Sequence, residues 1–323
     1  MLKQLAAAAI AFCVLSGTSV YGEQVLKIGY LLPEDSQLGA GATAFAAEVA
    51  RRTNGKYRIE QYPSSALGGE VEMIKGVQAS QIDIAFITNP PFSALIPELG
   101  IFDVPFLVKD AAHARALLDG PIGQEYLNKI ADQGVVALAW GENGMRHMTN
   151  SKHAVKEPKD MEGLKLRVPQ SPNMVKAFQS LGMQVEPLPF PALYRALETG
   201  KFDAQENPIA TIVSAKFDKV QKHLSMTGHT YSWAVFIISK EAYDDLTTEE
   251  KAAFAQAARI GGVASRNYAE EAEGKGVESL RAAGMEVVTG IDREAFVAAL
   301  KPVHAKFAEE FGAERIQRIR DAQ

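Results

Sequence analysis

The apolar and polar positions in the first third of the chain alternate between strand-like and helix-like patterns. Residues 25–32 predict a buried strand, helical spacing of apolar residues continues to Arg52, and residues 57–62 alternate as a second strand. A second helix is predicted to begin near Glu70, and the nearly continuous apolar run 82–88 indicates a third strand buried on both faces. This succession predicts an α/β fold.

The second half of the chain begins the same succession again. Residues 163–169 alternate as a short strand that ends at a proline, and residues 184–188 also predict extended structure. Residues 174–181 and 192–198 have helical spacing. Because no flexible linker separates the halves, we expect two α/β lobes between which the chain crosses more than once.

One predicted helix is much longer than the others. Helical periodicity runs from Thr247 to about residue 283, and the first residues resemble a helix cap. At 1.5 Å per residue such a helix spans about 50 Å, which exceeds one compact lobe, so it is predicted to cross both. A kink is expected at Gly261 and Gly262.

Residues 1–22 have the pattern of a secretory signal peptide. Lys3 precedes the apolar stretch 5–15, and small residues lead to a predicted cleavage site near Gly22. The alternative is an uncleaved membrane anchor, although a membrane span needs about 20 apolar residues. The sequence therefore predicts an exported protein, and cleavage would remove Cys13, its one cysteine.

The composition is that of a globular protein of two-domain length. The 323 residues are 47% hydrophobic, and 34 Lys and Arg against 39 Asp and Glu give a net charge of −5. No run of basic residues is longer than Arg51-Arg52. Since affinity for nucleic acid depends on clustered cations, a phosphate backbone is not an expected partner.

The segment 39–44 matches the dinucleotide-binding pattern G-x-G-x-x-A, with Glu60 about twenty residues on. That fingerprint requires the glycines to turn directly out of a strand. Here six residues separate Leu32 from Gly39, so the glycines are predicted to lie in the first turn of the following helix. We therefore expect no nucleotide cofactor.

The sequence contains no spacing typical of a catalytic or metal site. The histidines, at positions 113, 147, 153, 223, 229 and 304, form no H-E-x-x-H pattern, and there is no G-x-S-x-G. Glu70 with Glu72, or Asp203 with Glu206, are formal candidates for paired acids, but neighbours this close are usually solvated or capping residues. We expect neither catalysis nor a bound metal. A metal site formed by residues far apart in the sequence remains an alternative, because oxygen ligands can come together in the folded chain.

Two arginines occupy positions suited to anion recognition. In the strand 164–168, Arg167 lies at the carboxyl end, where open α/β sheets present their ligand sites. Arg146 lies near the predicted boundary between the lobes. A guanidinium is permanently charged and can hold a carboxylate with two hydrogen bonds, although a structural ion pair is the commoner role of a single arginine.

Several segments together resemble the periplasmic substrate-binding subunit of tripartite ATP-independent periplasmic (TRAP) transporters, the dicarboxylate-binding type. Each motif is weak alone, but they occur in order between about residues 25 and 290. They are Tyr62–Gly68 (YPSSALG), Phe102–Leu107 (FDVPFL), Gly163–Pro169 (GLKLRVP), Ala192–Gly200 (ALYRALETG), Asp203–Pro208 (DAQENP) and Val220–His229 (VQKHLSMTGH).

The resemblance implies a set of ligand-binding residues. Arg167 matches the arginine that pairs with the ligand carboxylate, Arg146 a second basic contact, and Asn207 an amide that binds the same end of the ligand. Phe190 matches an aromatic residue that packs on the ligand. The other implied pocket positions are Glu70, Thr88, Gln170 and Trp233.

The chain departs from the family pattern at two positions. Ala192 stands where family members usually carry a glutamate, and Leu31 replaces a polar residue that some members use. These departures favour an acid with fewer hydroxyl groups than a sialic acid or a uronate.

The resemblance also implies the architecture and the role. We expect a two-lobed periplasmic binding protein fold with a ligand cleft between the lobes and the long kinked helix across both. Lobe I would comprise residues 23–145 and about 234–275, and lobe II residues 146–233 and about 276–323.

Such a protein would be a periplasmic monomer that captures a small organic acid and delivers it to the TRAP membrane permease, without a cofactor. A C4-dicarboxylate or a small keto or hydroxy acid is the expected ligand. The alternatives are an exported α/β hydrolase or lyase that acts on a carboxylated substrate, and a ligand sensor for a signalling partner.

Overall fold

The computed structural model describes residues 22–322, so the predicted signal peptide and its cleavage site lie almost entirely outside the described residues. The strands are β1 (Gln24–Tyr30), β2 (Tyr57–Tyr62), β3 (Ile84–Thr88), β4 (Val135–Asn150), β5 (Lys165–Val168), β6 (Gln184–Pro187), β7 (Ala204–Pro208), β8 (His223–Ser239) and β9 (Glu286–Val288). The α-helices are α1 (Gln37–Arg52), α2 (Glu70–Gln78), α3 (Pro90–Leu95), α4 (Ala111–Asp119), α5 (Pro121–Ala131), α6 (Pro172–Gln179), α7 (Leu193–Glu198), α8 (Ile209–Ser214), α9 (Lys240–Asp244), α10 (Thr248–Ala282), α11 (Arg293–Ala299), α12 (Lys301–Phe311) and α13 (Ala313–Arg320). The α/β class is confirmed.

The strands of this α/β fold form one mixed sheet in the order β2-β1-β3-β8-β4-β7-β5-β6, with β9 beside the start of β8. Strands β1, β2 and β3 are parallel to one another, as are β5, β6 and β7. We call β1–β3 and the strand ends that pair with them the first half of the sheet, and β5–β7 with their neighbours the second half.

The two halves are joined by the long strands β4 and β8. These strands pair antiparallel along almost their whole length. The pairing shifts register at three places: between Ala137 and Ala139, between Glu142 and Gly144, and between Arg146 and Met148. Neither strand was predicted from the pattern of apolar and polar residues. Polar residues such as Glu142 interrupt the apolar pattern of β4, and they are buried because both faces of this central strand are covered.

The long helix is confirmed as α10, with Thr247 as its N-cap. The Thr247 and Glu250 side chains bond each other's backbone N–H groups in a capping box. The helix continues without interruption through Gly261 and Gly262, where it packs closely on the sheet. A Cβ atom on Gly262 would lie 2.1 Å from the Trp140 carbonyl oxygen, so close backbone approach explains this glycine. The kink stays a prediction.

The glycines of the G-x-G-x-x-A segment lie inside α1, as expected for a helix rather than a dinucleotide-binding turn. The Ser36 side chain caps α1 by accepting a hydrogen bond from the backbone N–H of Gly39. A Cβ atom on Gly41 would lie 3.0 Å from the Gly261 carbonyl oxygen. Small residues on both helices therefore allow α1 to approach α10.

The C-terminal helices contact both halves of the molecule. Arg318 of α13 pairs with Glu125 of α5 at 2.8 Å, whereas Glu310 of α12 pairs with Lys176 of α6 at 2.8 Å. The lobe boundaries stay a prediction, since one sheet and these helices connect both parts.

Within residues 22–322, no helix combines the length and the hydrophobicity needed to cross a membrane.

Candidate anion-binding site

The guanidinium of Arg167 is the central feature of the site. Its neighbours on β5, Leu166 and Val168, point into the core, and Arg167 itself is only 2% exposed. Its Nε and Nη2 atoms both donate to the Leu188 carbonyl oxygen, at 2.8 and 2.6 Å. No carboxylate among residues 22–322 lies within ion-pair distance of this guanidinium. Burial lowers the pKa of Arg167 to about 9.

Phe190 packs beside this arginine. It is the first residue of a short 3-10 helix, Phe190–Ala192, that follows Leu188. Its ring centroid lies 6.0 Å from the Arg167 Cζ atom, within the range of a cation–π interaction. The aromatic face therefore stabilises a cation that no carboxylate of the described residues neutralises directly.

Phe190 also lines a cleft of about 410 Å³. Its lining combines residues that follow β1 and β2, among them Leu31 and Ser65, with Tyr194 of α7 and with Phe217. Ala192 is exposed at the end of the 3-10 helix. The cleft thus brings together residues that lie far apart in the sequence, and it reaches Phe190, which packs on Arg167.

The second arginine, Arg146, has a carboxylate partner of its own. Its Nε and Nη2 atoms donate to the two carboxylate oxygens of Glu206 at 2.5 and 2.8 Å, and both side chains are buried. His229 contacts the same carboxylate at 3.1 Å. Burial would raise the pKa of Glu206, but Arg146 and His229 outweigh it and hold that pKa below its usual value. The charge of Arg146 is therefore compensated within the protein.

Asn207 lies next to Arg146. Its Oδ1 atom accepts a hydrogen bond from Arg146 Nη2 at 3.2 Å, and its Nδ2 atom donates to Gln205 at 2.6 Å. Strands β4 and β7 are neighbours, and His147 is directly opposite Asn207. The sheet register thus brings together the second arginine and the amide that sequence analysis predicted for one end of the ligand.

Glu70 and Thr88 form a pair from the first half. The Thr88 N–H and hydroxyl groups donate to the two carboxylate oxygens of Glu70, at 2.7 and 3.0 Å. Burial raises the pKa of Glu70 to about 7, although the Thr88 hydrogen bonds and the charges of Arg146 and Arg167 act in the opposite direction. Both arginines therefore act electrostatically on this carboxyl group of the first half.

Asp103 is a buried carboxyl group that sequence analysis did not assign to the site. It accepts hydrogen bonds from Asn89 at 2.7 Å and from Ser171 at 2.6 Å, and burial raises its pKa to about 7. The charges of Arg146 and Glu206 act on it in opposite directions. Its position inside the apolar run 101–107 was the available signal, because an acidic residue there is expected to be buried.

The last two predicted residues lie in different environments. Gln170 is partly exposed in the bend between β5 and α6. Trp233 is fully buried, and its ring packs edge-on against Trp140 and Phe102. Its indole nitrogen has no hydrogen-bond partner within the described part of the chain. Trp233 therefore belongs to the aromatic core, and a role for it or for Gln170 in ligand binding stays a prediction.

The balance of charge in the site favours binding of an anion. Arg146 is paired with Glu206, which leaves the Arg167 guanidinium uncompensated by direct contact with any described carboxylate. Glu70 and Asp103 titrate near neutral pH and so supply partial negative charge.

Across residues 22–322, no group of three or more His, Cys, Asp or Glu side chains is arranged to hold a metal ion.

Comparisons with known proteins agree with this chemistry. Residues 28–310 match the family model described as bacterial extracellular solute-binding protein, family 7, also named DctP. The chain belongs to this family of TRAP solute-binding proteins. Its members are periplasmic transport proteins that bind small acids and deliver them to a membrane permease, so the family predicted from the sequence motifs is confirmed.

Individual relatives indicate the range of ligands within the family. The chain is 36% identical over 317 residues to the 2,3-diketo-L-gulonate-binding periplasmic protein YiaO of Escherichia coli, covering 97% of each. A TRAP protein from Polaromonas sp. JS666 with bound D-erythronate has a TM-score of 0.92 and 45% identity, covering 93% of this chain and 99% of that one. A more distant protein from Sulfurospirillum deleyianum with bound succinate has a TM-score of 0.86 and 28% identity, covering 93% and 99%.

Proposed function

We propose that this TRAP solute-binding protein captures a small hydroxy or keto acid that carries a single carboxylate, and that Arg167 binds this carboxylate. The observation that carries the proposal is the buried Arg167 guanidinium, whose Nε and Nη2 atoms bond to a carbonyl oxygen rather than to a carboxylate. Burying a cation without an anionic partner costs free energy. The attraction between the Arg167 guanidinium and an incoming carboxylate would therefore favour binding.

The number of uncompensated charges supports one carboxylate rather than two. Arg146 is already paired with Glu206, so a second ligand carboxylate would meet a cation that is already neutralised. It would also approach Glu70 and Asp103, which are partly ionised near neutral pH. D-Erythronate and 2,3-diketo-L-gulonate, named for two of the relatives above, each have one carboxylate together with hydroxyl or keto groups.

In this proposal residues 23–145 with about 234–275 form lobe I, and residues 146–233 with about 276–323 form lobe II. Glu70 and Thr88 would face the ligand from lobe I, and Arg167, Arg146, Asn207 and Phe190 from lobe II. Closure of the lobes removes water and so strengthens the contact between Arg167 and the carboxylate. The closed form then docks on the TRAP permease, where separation of the lobes releases the acid.

A binding experiment with matched acids tests the proposal. The mature protein is unfolded and refolded to remove any acid carried over from the host, and then titrated calorimetrically with D-erythronate and with succinate. Binding of D-erythronate that is at least tenfold tighter than binding of succinate is the expected result. The reverse order would overturn the assignment of a single carboxylate.

The Arg167→Ala variant tests in the same experiment whether Arg167 binds the carboxylate, with Arg195→Ala as the matched control. Arg195 is an exposed arginine that pairs with Glu198, three residues further along its helix. We expect Arg167→Ala to weaken binding by about 2–5 kcal/mol and Arg195→Ala to leave it unchanged. Equal affinity of the two variants would remove Arg167 from the site.

A further inference from the structure

A line of buried polar side chains connects Arg146 to the short loop before β8. We call these side chains the amide relay: Asn207, Gln205, Thr149 and Gln221. Each of them is at most 3% exposed. Gln205 and Asn207 are two residues apart on β7 and so share a face of the sheet, and Thr149 is directly opposite Gln205 on β4.

The three hydrogen bonds between members of the amide relay are 2.6–2.9 Å long. Asn207 Nδ2 donates to Gln205 Oε1 at 2.6 Å, and Gln205 Nε2 donates to Thr149 Oγ1 at 2.8 Å. The Thr149 hydroxyl donates to Gln221 Oε1 at 2.9 Å. Gln221 Nε2 in turn donates to the carbonyl oxygens of Val220 and Asp203, at 3.0 and 3.3 Å.

The groups at the two ends of the relay determine which partner donates and which accepts in each of its hydrogen bonds. We call this order of donors and acceptors the direction of the relay. Backbone carbonyl oxygens can only accept hydrogen bonds, so the nitrogen of the Gln221 amide must face them. A guanidinium can only donate, so the oxygen of the Asn207 amide must face Arg146. Thr149 lies between the Gln221 and Gln205 amides, and its hydroxyl group donates to one and accepts from the other, so it transmits this direction.

The direction of the relay determines what Asn207 presents to a ligand. With its Oδ1 atom turned to Arg146, the Asn207 amide has one N–H bonded to Gln205. Its second N–H has no hydrogen-bond partner within residues 22–322. This N–H is a hydrogen-bond donor, which suits the oxygen atoms of an acid, whereas the flipped amide would present its carbonyl oxygen instead.

We propose that Thr149 and Gln221 are positioning residues that fix the orientation of the Asn207 amide and thereby its donor to the ligand. This inference rests on the proposed function, in which Asn207 contacts the acid. Neither Thr149 nor Gln221 needs to touch the ligand. Reversal of the Asn207 amide would require the Gln205 amide to reverse with it, which Thr149 and Gln221 oppose.

The test combines nuclear magnetic resonance of the ligand-free protein with titration of D-erythronate. Thr149→Val removes the hydroxyl group with little change in shape, and Thr149→Ser retains it. The matched control is Thr230→Val, because Thr230 is also buried on a central strand and its hydroxyl has no partner among the described residues. The side-chain NH₂ signals of Asn207 are assigned by their loss in Asn207→Asp.

We expect Thr149→Val to speed hydrogen exchange of the Asn207 NH₂ group and to weaken D-erythronate binding about tenfold, because a misoriented Asn207 amide would lose about one hydrogen bond to the ligand. Thr149→Ser and Thr230→Val are expected to stay within about twofold of the parent protein, since each keeps the relay intact. If Thr149→Val does not fold, Gln205→Met is used in place of that variant, because it interrupts the relay at its centre.

Two results would overturn the inference. Unchanged Asn207 signals in Thr149→Val would show that the relay does not orient the amide. Altered signals with unchanged affinity would show that the orientation does not matter for the ligand. If the parent protein binds no acid, the proposed function fails, and the ligand-free spectra still decide whether the relay orients Asn207.

Discussion

The carboxylate of Glu206 accepts two hydrogen bonds from the guanidinium of Arg146, although the residues are 60 positions apart in the chain. Both are buried, and the pair is completed by His229. This pairing separates the roles of the two arginines in the site. The charge of Arg146 is neutralised within the protein, whereas no carboxylate of the described residues lies within ion-pair distance of Arg167.

Arg167 is predicted to lower the stability of the ligand-free protein while it enables binding. Arg167→Met removes a buried charge without leaving a carboxylate unpaired, so the free energy of unfolding without ligand should not decrease. Loss of the contact should weaken acid binding by about 2–5 kcal/mol. Urea denaturation and calorimetry measure the two effects, with Arg195→Ala as the exposed control. A large loss of stability would mean that Arg167 has a structural role.

Arg146 is predicted to behave in the opposite way. Arg146→Met leaves the buried Glu206 carboxylate without its main partner, which should lower the free energy of unfolding by about 3–5 kcal/mol. The double variant Arg146→Met, Glu206→Leu removes both charges and should recover most of that loss. Urea denaturation of the two single variants and the double variant measures the coupling. Additive effects would contradict a mutual pairing.

The stability of the ligand-free protein is predicted to fall as the pH rises from about 4.5 to 7. The pKa of Glu70 is raised from 4.5 to about 7, so the folded state binds this proton more tightly than the unfolded state. The stabilisation of the folded state by this proton is complete below pH 4.5 and is lost as the pH rises through 7. At about 1.36 kcal/mol per pKa unit, the change is roughly 3 kcal/mol.

Urea denaturation at about pH 5, 6, 7 and 8 measures this dependence, and Glu70→Gln isolates the contribution of Glu70. Asp103 titrates in the same direction, so the variant should retain part of the slope. An identical slope in Glu70→Gln and the parent protein would show that Glu70 has an ordinary pKa.

Two glycines of α10 are predicted to respond oppositely to the same substitution. A Cβ atom on Gly262 would lie 2.1 Å from the Trp140 carbonyl oxygen, so Gly262→Ala should lower the free energy of unfolding by about 1–3 kcal/mol. Gly274 is exposed, and a Cβ atom added there would meet no neighbouring atom of the described residues within 4 Å. Gly274→Ala should therefore raise the free energy of unfolding by about 0.5–1 kcal/mol. Thermal and urea denaturation compare the two variants, and a stabilised Gly262→Ala would contradict close packing of α10 on β4.

Local signals were sufficient for part of the regular structure, but strand β7 and helices α4, α5 and α11–α13 were not predicted. The capping pattern at Thr247 and the helical period after it predicted α10 to within one residue at each end. The strand predicted at 57–62 agrees with β2. These features depend on residues close in sequence, because caps and periodicity act within a few turns of helix or a few strand positions. The central strands β4 and β8 were not predicted, since their burial depends on neighbours from distant parts of the chain.

The sequence by itself determined the α/β class, the family and the position of Arg167 near the carboxyl end of a strand. Only the tertiary structure decided which charges remain available. It placed Glu206 against Arg146, buried Asp103 beside Ser171, and aligned Thr149 with Gln205. The physical reason is that a side chain's charge and hydrogen-bonding state depend on which groups surround it in space, and those groups come from strands and helices far apart in the sequence.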